Sequence, residues 1–242
     1  MRATRRLDLW LVENRLVESR EKAQALIMAG EVLLNGQKAL KPSQAVIEGT
    51  VVELTAKPRY VSRGGLKLEA ALQSFAIDAK RAVCADFGTS TGGFTDCLLQ
   101  AGAARVHAID TGTGQIDWRL RNDPRVILHE GVNARHLDPA LIGEKVALAV
   151  CDVSFISATL ILPSMDSILR PDGQVVVLVK PQFEVGRGQV GKGGIVRDPE
   201  LHQSACDKVR IALEALGFQT RMAPSPITGA EGNREFLLHG RR

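Results

Sequence analysis

The chain has 242 residues, 45% hydrophobic and 24% charged, ordinary for a globular protein of one or two domains with a sizeable core. Its net charge of +4 is uneven: residues 1–67 hold 12 Lys/Arg against 7 Asp/Glu and the remainder 19 against 20, so a polyanionic partner is expected at the N-terminal quarter. Two Trp, one Tyr and seven Phe are too few for base stacking as the main binding mode, four scattered cysteines with no C-x-x-C pair read as buried thiols of a reducing, cytoplasmic protein with no metal site, and nothing resembles a membrane span or signal peptide.

Residues 6–29 read as two short helices. Leu7, Leu11 and Leu16 share an apolar face, Ser19 is an N-cap, Ala23, Leu26 and Ile27 recur at helical spacing, and Gly30 ends the second helix. Val32-Leu33-Leu34, the turn Asn35-Gly36 and later Val51 to Leu54 signal a hairpin. Residues 1–56 thus form a small α+β module, marginal alone. Arg6-Leu7-Asp8, Ser19-Arg20-Glu21-Lys22-Ala23, Ile27, Gly30, Val32 and Asn35-Gly36 resemble the small RNA-binding module of ribosomal protein S4, reused in pseudouridine synthases, tyrosyl-tRNA synthetases and RNA methyltransferases. The resemblance implies phosphate contacts from Arg5, Arg6, Arg20, Lys22, Lys38 and Lys41, which position RNA without reading its sequence.

Residues 57–65 read as a linker punctuated by Pro58 and Gly64-Gly65, with Arg63 as a further RNA contact. Leu66 to Phe75 reads as an amphipathic helix burying Leu66, Ala70 and Phe75. Lys67 opposes the dipole near its start, either as an ordinary exposed lysine or as one held there for a task. From residue 81 to 242 strands alternate with helices. Val83–Asp86, Arg105–Asp110, Val126–His129, Val146–Asp152 and Val175–Lys180 read as strands. Thr95–Ala101, Ile156–Leu169 (with Pro163 to break, kink or delay it) and Leu201–Leu216 read as helices. Residues 184–197 are glycine-rich and irregular, and Phe218–Met222 with Phe236–Leu238 form a terminal strand pair. Near-continuous apolar strands between helices predict an α/β, Rossmann-like, doubly wound, mostly parallel sheet beside the small N-terminal domain.

In such sheets ligands bind beyond the carboxyl ends of the strands. Asp86, Asp110, Asp152 and Lys180 each follow an apolar run and belong on one rim, where charges beside core strands need partners. Between Asp86 and the next helix, capped by Thr91 or Thr95, lies a turn of Gly88, Ser90, Thr91, Gly92 and Gly93, expected to bring backbone N–H groups to one point beside a ligand. It lacks the Gly-x-Gly-x-x-Gly spacing of a dinucleotide site, which argues against an oxidoreductase. Asp110 is placed to accept both hydroxyls of a ribose, and Asn133 to contact an adenine edge or simply to make a turn.

The run Asp86-Phe87-Gly88-Thr89-Ser90-Thr91-Gly92-Gly93-Phe94-Thr95-Asp96 resembles the cofactor loop of FtsJ-like RNA 2′-O-methyltransferases, with Thr89 where Ala is more usual. Tyr60 to Glu69, Cys151 to Ser157, Val179 to Glu184 and Gly232 to Phe236 resemble the TlyA family within that group. The resemblance spans the whole chain. It implies a class I methyltransferase fold, S-adenosyl-L-methionine as cofactor, and a Lys-Asp-Lys-Glu tetrad at Lys67, Asp152, Lys180 and Glu235. Position alone had singled out the first three, whereas Glu235 alone reads as a surface acid. The implied reaction is methylation of a cytidine ribose 2′-hydroxyl in ribosomal RNA. Lys180 would act either as a neutral base favoured by Lys67 nearby, or as a cation stabilising the developing alkoxide. Reaching a 2′-hydroxyl in folded RNA calls for extruding a nucleotide, at about a few kcal/mol. By the same resemblance, the few residues before Arg6 imply the shorter subtype, expected to act on large-subunit rRNA alone. Two alternatives remain: a membrane-active haemolysin, which the lack of a span and of a basic amphipathic helix opposes, and a non-catalytic RNA-binding assembly factor, which an intact tetrad opposes.

Overall fold

In the computed structural model, which describes residues 5–28, 30–55, 59–229 and 231–242, the chain divides into two units, Met1–Arg59 and Tyr60–Arg242. Residues 57–58 of the predicted linker lie outside the described residues. In the first unit, β1 (Arg5–Arg6) pairs antiparallel with β4 (Ala45–Val46). Strand β2 (Val32–Leu34) pairs antiparallel with both β3 (Gln37–Lys38) and β5 (Val52–Leu54). Asn35 and Gly36 both have positive φ, 50° and 79°, which turns β2 into β3 with the twist a two-residue hairpin needs. Helices α1 (Leu7–Glu13) and α2 (Arg20–Met28) bury Leu7, Leu11, Ala23 and Ile27 against Val32 and Val46. Ser19 caps α2 through the Lys22 N–H. Leu16, expected on the apolar face of the first helix, is exposed because α1 ends at Glu13 and the chain turns through Arg15 at φ 56°.

The second unit holds, among the described residues, a seven-stranded sheet. Its members are β6 (Val83–Phe87), β7 (Arg105–Asp110), β8 (Val126–Glu130), β9 (Val146–Cys151), β10 (Leu169–Val179), β11 (Gln219–Pro224) and β12 (Phe236–Arg241), in the spatial order β8-β7-β6-β9-β10-β12-β11. The first five strands of that order run parallel, and β12 is antiparallel to both neighbours. The direction of winding reverses between β6 and β9, where such folds bind ligands. Helices α3 (Gly64–Phe75) and α4 (Gly93–Gln100) lie with Cys84, Val106, Val150 and Leu178. Helices α7 (Leu162–Ile168) and α9 (Pro199–Glu214) lie with Ala85, Phe87, Cys151 and Val177. Alternate residues of one strand feed opposite core layers, so the apolar runs need no polar face. Short helices α5 (Trp118–Arg121), α6 (Pro139–Ile142) and α8 (Pro181–Glu184) complete the crossovers. The four cysteines are buried and free, and burial pushes the Cys84 and Cys151 thiols up to about 12.

Two expectations are corrected and a third is narrowed to one of its alternatives. Helix α3 begins at Gly64, inside the segment read as linker, and its buried stripe is Leu68, Ala71 and Phe75 with Lys67 beside it, while Leu66 is exposed. The reason is close packing: a Cβ on Gly93 would lie 3.0 Å from the Gly65 N and 3.2 Å from the Gly64 Cα, and the Val61 N–H donates to Asp96 Oδ2 at 2.8 Å. Pro163 delays the helix read from Ile156. A 3-10 turn spans Ala158–Leu160, and α7 starts at Leu162 with proline in its first turn, where no N–H is missed. Neither Thr91 nor Thr95 caps α4; Gly92, at φ 96°, precedes it.

Candidate active site

Strands β6, β7, β9 and β10 are parallel, so Asp86, Asp110, Asp152 and Lys180 come to the same edge of the sheet. Their surroundings differ. Asp86 is fully buried beneath the glycine-rich loop, its Oδ2 accepting from the Thr95 hydroxyl at 2.7 Å. Its Oδ1 has no hydrogen-bond partner among the described residues. Burial pushes this carboxyl up to about 7, against the lowering by Thr95. Asp110 is half-buried; Oδ2 accepts the Ser90 N–H and Oδ1 the Gly112 N–H, both at 2.7 Å.

The loop itself differs from expectation. The Gly88 and Thr89 N–H groups donate to the Ile109 carbonyl, that of Ser90 to Asp110, and that of Gly92 to the Thr89 carbonyl. These amides are engaged inside the protein and do not converge on a ligand. Gly88 (φ +84°) is required by a neighbouring strand end, since a Cβ there would sit 2.7 Å from the Asp152 carbonyl oxygen. Asn133 is exposed, and its side-chain oxygen accepts the Arg135 N–H at 3.0 Å, capping a 3-10 turn.

Lys67, Asp152, Lys180 and Glu235 all line one cavity of about 570 Å³, together with Gly88, Thr89, Ser90, Thr91 and Gly93 of the loop. They form two ion pairs. Lys67 Nζ lies 2.5 Å from Glu235 Oε2, and Lys180 Nζ lies 2.6 Å from Asp152 Oδ1 and donates to Ser154 Oγ at 2.8 Å. Three of these side chains are at most 10% exposed and Asp152 is 19% exposed, so each charge is matched where water cannot fully screen it. Lys67 is therefore not an ordinary surface lysine. Its helix start is tucked against α4, and Glu235, one residue before β12, meets it there.

The cavity also holds residues that position in the sequence did not single out. Ser154, Phe155, Gln182 and Phe183 follow Asp152 and Lys180 within three residues, and Asn233 precedes Glu235 by two. Phe155 is 92% exposed at φ +65°, with its ring 5.3 Å from that of Phe183. Their signal in the sequence is membership of the runs Cys151–Ser157, Val179–Glu184 and Gly232–Phe236 that carry the family resemblance. Arg63 is exposed and lines the same cavity.

In the first unit, Arg6 grips the fully buried Asp8 with two hydrogen bonds and Arg20 adds a third, while both guanidinium groups remain about half exposed. The Arg6 contact holds the Asp8 carboxyl well below the usual carboxylate range. Arg5 pairs with Glu13, Lys22 with Glu18 at 3.1 Å, and Lys38 and Lys41 are exposed.

Two families match this chain: FtsJ-like methyltransferase over residues 60–242 and S4 domain over residues 5–52. The chain belongs to the FtsJ-like methyltransferase family. Its catalytic unit is the seven-stranded one, and the family's cofactor is S-adenosylmethionine. The 16S/23S rRNA (cytidine-2'-O)-methyltransferase TlyA of Mycobacterium tuberculosis is 46% identical over 96% of this chain and 88% of the relative. Hemolysin A of Brachyspira hyodysenteriae is 41% identical over 97% and 98%. A solved structure of a candidate hemolysin from Streptococcus thermophilus covers 100% of this methyltransferase and 90% of that chain, at 44% identity and a TM-score of 0.75. The N-methyltransferase NodS of Bradyrhizobium japonicum, solved with S-adenosyl-L-homocysteine, shares the fold at 15% identity and a TM-score of 0.53, over 74% of this chain and 85% of its own.

Proposed function

We propose that this methyltransferase moves a methyl group from S-adenosylmethionine to the ribose 2′-hydroxyl of a cytidine in ribosomal RNA, free or within a ribosomal subunit, in the cytoplasm. The observation that carries the reading is the cavity in which two lysine–carboxylate pairs face the glycine-rich loop. TlyA proteins named as rRNA cytidine-2'-O-methyltransferases, 46% and 34% identical, supply the substrate class. The residues suit the cofactor. Asp86 Oδ1 is buried without a partner, matching an ammonium group, and the carboxylate of Asp110 keeps lone pairs for ribose hydroxyls beyond the two amides it accepts. Gly88, Ser90, Thr91, Gly92 and Gly93 shape the cradle between them. Asn133 spends its oxygen on the Arg135 N–H and keeps its amide N–H donors for an adenine edge. When bound, S-adenosylmethionine supplies an electrophilic methyl on a sulfonium, already a good leaving group.

The protein must align the 2′-oxygen and assist loss of its proton. A lysine ammonium has three donors. Ser154 takes one of those of Lys180 and Asp152 Oδ1 stands 2.6 Å away as its counter-ion, leaving donor capacity for the 2′-oxygen as negative charge develops on it. That arrangement favours Lys180 as alkoxide stabiliser. Lys67 and Glu235 add a second matched pair, so the site stays neutral before RNA arrives. Phe155 and Phe183 offer a stacking face for the extruded base. Arg6 and Arg20, held by Asp8, present preorganised guanidinium groups to RNA phosphates, with Arg5, Lys22, Lys41 and Arg63 as weaker contacts. A haemolytic reading draws no support from the helices: among the described residues none is long and apolar enough to cross a membrane. Lys180→Ala should abolish methyl transfer while calorimetry still shows S-adenosylmethionine binding; near-normal turnover would remove Lys180 from the mechanism.

A further inference from the structure

Glu184 ends α8, four residues after Lys180, and its side chain is only 1% exposed. It does not line the cavity. Its carboxylate accepts the Ser157 hydroxyl at 2.5 Å and the Ala158 N–H at 2.7 Å, and pairs with Lys208 Nζ on α9 at 3.0 Å. Lys208 Nζ also donates to the Glu184 carbonyl oxygen at 2.9 Å, fixing the end of α8 to the same helix. One buried carboxylate therefore joins the segment after β10 to the segment after β9. The first carries Lys180, Gln182 and Phe183; the second carries Asp152, Ser154 and Phe155. Between its anchors the second segment is held at the left-handed Phe155, a conformation that a non-glycine residue keeps only when its surroundings enforce it. A purely stabilising role would be poorly served by this contact, because Lys208 is 45% exposed and an ion pair open to solvent contributes little. The partners of Glu184 are instead the loops that meet at the Lys180–Asp152 contact.

We propose that Glu184 is a positioning residue of the methyl-transfer site, clamping the Asp152–Ser157 and Lys180–Glu184 segments so that Lys180, Asp152, Ser154 and Phe155 keep their mutual geometry. The proposal rests on the reading of the cavity as the methyl-transfer site. Its role is distinct from that of the four charged cavity residues, since it stands outside the cavity lining that they form.

The test uses the full chain with Glu184→Gln, Ser157→Ala, Ser157→Thr and the double variant Ser157→Ala/Glu184→Gln. Single-turnover methyl transfer to rRNA, KM for RNA, cofactor Kd by calorimetry and thermal melting are measured for each. A glutamine cannot accept from Ser157 and Ala158 while also pairing with Lys208, so kcat should fall by about 10- to 100-fold, the range a shift near 1 Å produces. Cofactor Kd should stay within about twofold, because the Asp86–Asp110 side is untouched. Ser157→Ala should lower kcat, Ser157→Thr should restore it, and the double variant should be no slower than Glu184→Gln, because both changes break one tie. Turnover within about twofold of wild type in Glu184→Gln would overturn the proposal. So would additive losses in the double variant, or kcat losses that merely track the loss of folded protein. If Glu184→Gln does not fold, wild-type turnover in Ser157→Ala overturns it instead. A wild-type protein that transfers no methyl group to rRNA would overturn the functional reading itself, a different result from an active wild type with an equally active Glu184→Gln.

Discussion

Replacing Asp86 by Asn removes a titrating group from the floor of the cofactor loop while keeping an oxygen for the Thr95 hydroxyl. In the folded protein, burial raises the Asp86 carboxyl to about 7; in the unfolded chain an aspartate titrates near 3.9. Between those values the folded state keeps a proton that the unfolded state has released. The contribution of Asp86 to stability is thus fully present below about pH 4 and is lost as pH rises through about 7. About three pH units at about 1.4 kcal/mol each give a decline on the order of 4 kcal/mol. Carboxylates with lowered values, such as Asp8, Asp117 and Asp123, act in the opposite sense at lower pH, so only the difference between variant and wild type isolates Asp86. Urea unfolding followed by circular dichroism at pH 5 to 8 should show Asp86→Asn gaining stability relative to wild type as pH rises. A second arm uses the cofactor. An ionised Asp86 suits an ammonium partner, so wild-type affinity for S-adenosylmethionine should strengthen between pH 6 and 8, and the Asn variant should lack that rise. Parallel stability curves for the two proteins across this window would refute the reasoning.

Lys67→Met should cost about 3–5 kcal/mol by leaving Glu235 buried without its cation, and adding Glu235→Gln should recover part of that loss in thermal melts. Gly93→Ala should destabilise by about 1–3 kcal/mol, read by denaturant titration, because the added Cβ meets the Ser62 hydroxyl and the backbone of Gly64 and Gly65. Phe155→Ala should slow methyl transfer to RNA by about 5- to 150-fold, the equivalent of about 1–3 kcal/mol of lost stacking, with cofactor affinity by calorimetry unchanged.

The parallel sheet was legible because its central strands are buried on both faces and read as unbroken apolar runs, and four of the five runs close in a charged residue. Parallel strands bring such residues to one edge, and Asp110, Asp152 and Lys180 stand there together. Sequence does not say how a charge is satisfied. Asp86 resembled its rim neighbours, yet the loop folds over it and leaves it buried with one orphan oxygen. Glu235 could not be found from position, because its role depends on β12 returning antiparallel beside β10 and delivering it to Lys67. The glycine loop was misread in one respect: its flexibility serves close packing against Asp152 and α3 as much as access for a ligand. Glu184 belongs to the Val179–Glu184 run that carries the family resemblance, but its role as a clamp carried no signal, since its partners come from segments 26 and 24 residues away.

The central claim is tested most directly by incubating purified protein with S-adenosylmethionine and unmodified rRNA or ribosomal subunits, then mapping the product by mass spectrometry of nuclease digests. The account predicts methyl groups on the ribose 2′-oxygen of cytidine, absent when Lys180→Ala replaces the wild type. Methylation confined to a base, or none on rRNA from a folded protein that binds the cofactor, would contradict it.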